Sequence, residues 1–233
     1  MRLSFLDGPP GRYVRRMAAR VLRPLHPWLQ RRDANLFGCR LGVTPDVFHP
    51  GLYFSTKVFA QHLLGMEVYG QRALDMGTGS GAIGILAASR GARVLALDIN
   101  PAAVAMARRN ADLNGVSDRF EAIESDLFSR VPVDEAFDLI LFNPPFYPVA
   151  PNNMCDRARC AGEGYETLRA FYQQVARFLG PEGRAVLITS TDMDLDLLAG
   201  MAEANGLALL RETVVPHFFE KFVIREYSAP CPL

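Results

Sequence analysis

Between residues 72 and 205, short apolar runs alternate with longer segments of helical periodicity, and that alternation leaves few architectures open. Runs of strand length occupy 72–76, 93–98, 119–125, 137–142 and 184–189. Helices are expected over 82–89, 101–114, 165–179 and 194–205, and another from about Leu52 through Phe59 and Leu63 to a stop at Gly65. Strands joined by crossovers of that length pair in parallel. Two final strands, near 207–215 and 221–227, are separated only by a short loop beginning Pro216-His217 and close the sheet as an antiparallel hairpin. The expected fold is therefore α/β, a doubly wound, seven-stranded, mostly parallel sheet. A chain of 233 residues has room for one such domain and an extension.

The extension is read at the amino terminus, as an arm over 1–45 preceding a main domain over 46–233. Gly8-Pro9-Pro10-Gly11 is a turn signal, and a helix with a basic face is expected from about Arg12 to Leu22, followed by an irregular, proline-punctuated connection. Residues 1–40 hold nine arginines against Asp7 and Asp33, so the rest of this neutral chain carries a net charge of −7. An acidic body lacks the electrostatic footprint of a nucleic-acid enzyme, and phosphate attraction would have to come from the arm. No run reaches the length of a membrane span, so no membrane partner is expected and the chain is placed in the cytoplasm. The spacing of Cys39, Cys155, Cys160 and Cys231 does not suit a zinc site, and His26, His49, His62 and His217 are scattered. No metal is expected.

Chemistry enters at the ends of two strands. The run Phe137-Asp-Leu-Ile-Leu-Phe142 is followed by Asn143-Pro144-Pro145-Phe146. Two prolines cannot continue a ladder, so the backbone leaves the sheet rigidly at its carboxyl end, where open α/β sheets bind ligands. A carboxamide and an aromatic ring fixed there suit a planar nitrogen: the Asn143 oxygen and a nearby carbonyl accept its hydrogens while Phe146 stacks on its face. The second strand end is Ala73-Leu-Asp-Met-Gly-Thr-Gly-Ser-Gly-Ala82, a glycine turn that opens a helix. Gly77, Gly79 and Gly81 let backbone approach a ligand closely. With Asp98 following 21 residues after Gly77, the turn also satisfies a dinucleotide fingerprint. Asp75 argues against that ligand, because a carboxylate there repels a pyrophosphate but would bind an ammonium.

These residues resemble class I S-adenosylmethionine-dependent methyltransferases with a Rossmann-like fold. Among them, Asn143–Phe146 is similar to the tetrapeptide of N-methyltransferases. The segment from Val47-Phe-His-Pro50 to Ser55-Thr56, and Ala161-Gly-Glu-Gly-Tyr-Glu166, resemble HemK-like glutamine methyltransferases and their small-domain relatives. The resemblance implies S-adenosylmethionine as cofactor. Asp75 and the Gly77-Thr78-Gly79-Ser80-Gly81 turn would face its methionine moiety, and Asp98 its ribose. Ile99, Asp126 and Leu127 would surround the adenine, with Thr56 nearby. Asn143, Pro144 and Phe146 would hold the acceptor nitrogen. Departures are Phe146 where glutamine enzymes usually carry tyrosine, Tyr53-Phe-Ser-Thr56 in place of the release-factor motif, and an arm unlike their substrate domain. A protein glutamine is the favoured acceptor. An RNA nucleobase amine, a small amide or amino metabolite, and a non-catalytic partner subunit are the alternatives. The oligomeric state is not legible.

Overall fold

In the computed structural model, the described residues are 33–44, 47, 50, 54–217 and 220–230. The basic helix expected in the arm lies outside them. Nine strands are described: β1 Ala34–Leu36, β2 Cys39–Leu41, β3 Arg72–Met76, β4 Arg93–Asp98, β5 Phe120–Glu124, β6 Phe137–Phe142, β7 Leu179–Ser190, β8 Ala208–His217 and β9 Glu220–Ser228. The α-helices are α1 Phe54–Leu64, α2 Ala82–Ser89, α3 Pro101–Leu113, α4 Met154–Arg157, α5 Glu166–Val175 and α6 Leu195–Ala204. Seven strands form the main sheet in the order β5-β4-β3-β6-β7-β9-β8. β3 to β7 pair in parallel, and β9 runs antiparallel to β7 and β8. The order reverses between β3 and β6, so the loops leaving those two strands diverge and open a crevice at the carboxyl edge.

Both faces of the sheet are covered. On one, α2 is apolar all round and buried from Ala82 to Ala88, packed with Phe59, Leu63, Val104 and Ala107 from the flanking helices. Gly84 is required within α2, because a Cβ there would lie 2.8 Å from Phe120 and 2.9 Å from the Asp75 carboxylate. On the other face, Leu168, Phe171, Tyr172 and Val175 of α5 join Leu198 and Met201 of α6 over Leu74, Ile140 and Leu187. Helix starts follow local chemistry. Asn100 caps α3 by accepting from the Ala102 N–H, with Pro101 in the first turn, and Asp194 caps α6 by accepting from the Leu197 N–H.

Where the connection before the domain was expected to be irregular, β1 and β2 form a small antiparallel hairpin, docked on α2 and α3. β7 is longer than expected because it begins at Leu179 and carries an irregularity before Arg184. α5 correspondingly ends at Val175 and passes through a 3₁₀ turn, Ala176–Phe178.

Candidate active site

A cleft of about 600 Å³ opens at the carboxyl ends of the parallel strands, within the range of small-molecule sites. It is walled by the turn after β3, the ends of β4 and β5, the tetrapeptide after β6 and the end of β7. Thr56, Asp75, Gly77, Thr78, Gly79, Asp98, Ile99, Asp126, Leu127, Asn143, Pro144 and Phe146 all line it. Gly81 stands behind the wall, at φ +86°, where a Cβ would meet Ile85 at 2.7 Å and Ala107 at 3.3 Å. Its missing side chain lets the turn close onto α3.

Two carboxylates organise one half of the cleft. The Asp98 oxygens accept from the Gly79 N–H at 2.8 Å and the Asn100 N–H at 2.9 Å, tying β4 to the glycine turn. Asp75 is buried, and its Oδ2 accepts from the Thr78 hydroxyl at 2.5 Å and the Gly84 N–H at 2.9 Å. Burial pushes its carboxyl up to about 7, against the pull of those two hydrogen bonds, and the nearby Asp98 adds to the rise. Burial likewise raises Asp98 above the usual carboxylate range. No ion pair to either is formed among the described residues, so this half of the cleft is deficient in positive charge.

In the other half, Asn143 is clamped from α1. Its Nδ2 donates towards Thr56 Oγ1 at 3.3 Å and Ser55 Oγ at 3.4 Å, both on buried residues. With the amide protons so directed, Oδ1 is the group left to accept, and among the described residues it has no hydrogen-bond partner. Pro144 and Pro145 are buried, and the half-buried Phe146 ring lies 6.4 Å from Phe222. Rings continue outward from Phe222 to His217 at 6.0 Å and from His217 to Phe54 at 4.0 Å. Residues 147–162 then fold back: the Tyr147 N–H donates to the Arg159 carbonyl and the Ala161 N–H to the Tyr147 carbonyl, each at 2.8 Å.

Several lining groups take roles that no local sequence signal assigns. Ser55 is the clamp on Asn143, and Ser190, Met193, Glu220 and Phe222 come from the ends of β7 and β9. The Ser190 hydroxyl donates to Glu220 Oε2 at 2.8 Å. Antiparallel pairing of β9 brings its first residues to the edge where β7 ends, a consequence the hairpin expectation contained. No His, Cys, Asp or Glu cluster among the described residues suits a metal ion.

These features fit one ligand chemistry. Bare glycine backbone admits close approach, the raised Asp75 would welcome an ammonium, and a phosphate would meet two carboxylates. Residues 40–204 match the description Methyltransferase small domain. The chain belongs to the methyltransferase small domain family. With that membership come S-adenosylmethionine as cofactor and methyl transfer as reaction. A Methanocaldococcus jannaschii protein provisionally named a protein N5-glutamine methyltransferase is 34% identical over 160 residues, 66% of this small-domain methyltransferase and 77% of that protein. A tRNA1(Val) (adenine(37)-N6)-methyltransferase of Porphyromonas gingivalis is 34% identical over 168 residues, 67% of this chain and 65% of its own. A release factor glutamine methyltransferase of Cereibacter sphaeroides is 37% identical over 157 residues, covering 61% and 54%. The chain thus spans about two thirds of the tRNA enzyme's length and about half of the release-factor enzyme's. A methyltransferase structure from Pyrococcus furiosus shares the fold at TM-score 0.63 and 19% identity, over 91% of this chain and 99% of that one. Among the described residues no helix is long and apolar enough to cross a membrane.

Proposed function

We propose that this small-domain methyltransferase methylates a planar amide nitrogen, with a protein glutamine side chain as acceptor. The observation that carries the reading is the Asn143 carboxamide, whose protons are held by Ser55 and Thr56 so that its oxygen serves as acceptor in the cleft. When bound, S-adenosylmethionine supplies an electrophilic methyl group on a sulfonium, so the protein's task is alignment. The chain's residues divide that task. Asp75 and the Gly77–Gly81 turn, with Thr78 and Gly79, receive the amino-acid end, and Asp98 accepts from the ribose hydroxyls. Ile99, Asp126 and Leu127 flank the adenine, and Thr56 steadies the acceptor side through Asn143. Asn143 Oδ1 and the Pro144 carbonyl accept the two N–H bonds of the acceptor amide, drawing electron density onto nitrogen and fixing its approach. Phe146 packs on the amide plane.

The acceptor half favours a polypeptide over RNA. Beyond the three aspartates assigned to the cofactor, its lining carries Glu163, Glu166, Asp192 and Glu220 against Arg157 and Arg159, an unfavourable balance for phosphates. Its rim is apolar, with Phe54 50%, Tyr147 58% and Met154 42% exposed, a pattern that marks protein contact. In this reading the catalytic domain begins with the hairpin β1–β2, whose Leu36, Cys39 and Leu41 join its core, and the proposed arm is confined to the residues before it.

Incubation with methyl-labelled cofactor and fractionated cell extract tests the acceptor class: label should enter protein, and label in RNA instead would overturn the glutamine assignment. The Asn143→Ala protein should retain affinity for S-adenosylhomocysteine within about twofold while transferring methyl groups roughly a hundred- to thousandfold more slowly. A normal rate would exclude a nitrogen held by this tetrapeptide.

A further inference from the structure

Asn110 lies within α3 at 2% exposure, and its carboxamide makes no bond inside its own helix. Its Oδ1 accepts from the Gly42 N–H at 2.8 Å, and its Nδ2 donates to the Gly42 carbonyl at 3.0 Å and to the Ser80 carbonyl at 2.8 Å. One turn later Asn114 grips Arg40 in the same way: Oδ1 accepts from the Arg40 N–H at 2.9 Å and Nδ2 donates to its carbonyl at 2.7 Å. Residues four apart share a helix face, and alternate residues of an extended chain share an edge. The two asparagines therefore stand in for a neighbouring strand along β2 and its continuation.

Beyond that clamp, α3 is met again at Val47. Val47 packs against Ala103 and Met106, and Val47 and Pro50 then line the cleft. The Val47 N–H donates to the Thr44 carbonyl at 3.1 Å, so the described residues 42–44 and 47 form a strap that reaches one side of the cleft at Val47. Gly42 fits its clamp because a Cβ would sit 3.2 Å from Asn110 Oδ1. Asn110 differs from Asn114 in one respect: its second donor bond reaches the carbonyl of Ser80, inside the glycine turn. We infer that Asn110 is a positioning residue for the cofactor, one carboxamide that locks the strap to the glycine turn and so fixes the separation of two cleft walls. The inference rests on the proposed seating of the cofactor against that turn.

The test measures S-adenosylhomocysteine affinity by calorimetry, and thermal stability without ligand, for the full chain and three variants. Asn110→Asp keeps the acceptor for the Gly42 N–H but loses both donors, and should weaken binding roughly tenfold. Gly42→Ala sets a Cβ about 3.2 Å from Asn110 Oδ1 and pushes the strap outward while Asn110 keeps its own donors and acceptor. It should weaken binding by a few-fold, and it carries the test if Asn110→Asp does not fold. Asn114→Ala removes the clamp that does not reach the glycine turn, and should lower the melting temperature while leaving affinity within about twofold. Unchanged affinity in Asn110→Asp and Gly42→Ala would overturn the inference, as would equal weakening in Asn114→Ala. A parent chain that fails to bind S-adenosylhomocysteine would instead overturn the cofactor seating beneath it.

Discussion

Asp75 should make the ligand-free protein less stable as the pH rises. Its carboxyl ionises at about 7 in the folded chain, against an ordinary value of 3.8. Between those values the folded state holds a proton that the unfolded state has released. Stability is therefore highest at the acidic end of the window and falls as pH climbs through it, levelling off above the folded pKa. The slope is about 1.4 kcal/mol per pH unit, so between pH 5 and pH 8 Asp75 should cost about 3 kcal/mol. Asp75→Asn removes the charge, while an amide oxygen still accepts from the Thr78 hydroxyl and the Gly84 N–H that now meet Oδ2. Urea unfolding of both proteins at pH 5, 6, 7 and 8, with no ligand, isolates the effect. Other groups contribute to both profiles and cancel in the difference. The variant should lack the alkaline loss of about 3 kcal/mol, and parallel profiles would refute a buried, proton-holding Asp75. S-adenosylhomocysteine should flatten the parent's profile, because an ammonium beside Asp75 favours its ionised form.

Asp98→Ala removes an acceptor for two hydroxyls and frees the Gly79 N–H, so calorimetry should show S-adenosylhomocysteine binding weaker by about 2 kcal/mol, some thirtyfold. Gly81→Ala meets both a left-handed backbone and Ile85 at 2.7 Å, and should lower unfolding free energy by about 1–3 kcal/mol in denaturant titration. Phe146→Ala should raise KM for the acceptor through lost stacking, and Phe146→Tyr should leave it near the parent's value in initial-rate assays.

Much of this was legible because the decisive signals are local. The ends of β3, β4, β6 and α2 coincide with the expected bounds, since each is closed by glycine, proline or a capping residue within the segment itself. The glycine turn and Asn143–Phe146 meet in one cleft because parallel pairing forces strand ends to a common edge. The hairpin β1–β2 was hidden for the opposite reason. Each of its strands has three residues, and its stabilising partners Asn110 and Asn114 lie about seventy positions away. The role of Ser55 was hidden likewise: it falls in a segment marked by resemblance, but the amide it clamps lies 88 residues away. Asp75 was read as a ligand-facing group alone, whereas the fold also makes it an internal brace for the turn and α2.

The reversal of strand order between β3 and β6 divides the labour of this enzyme along its own chain. In the proposed reading, the loops after β3, β4 and β5 serve the shared reagent, whereas those after β6 and β7 and the start of β9 serve the molecule that is modified. Mutations that retune one set need not disturb the other. A lineage can therefore keep its methyl donor fixed while its target drifts, and a family whose members are named for glutamine and for adenine is what such a partition would leave behind.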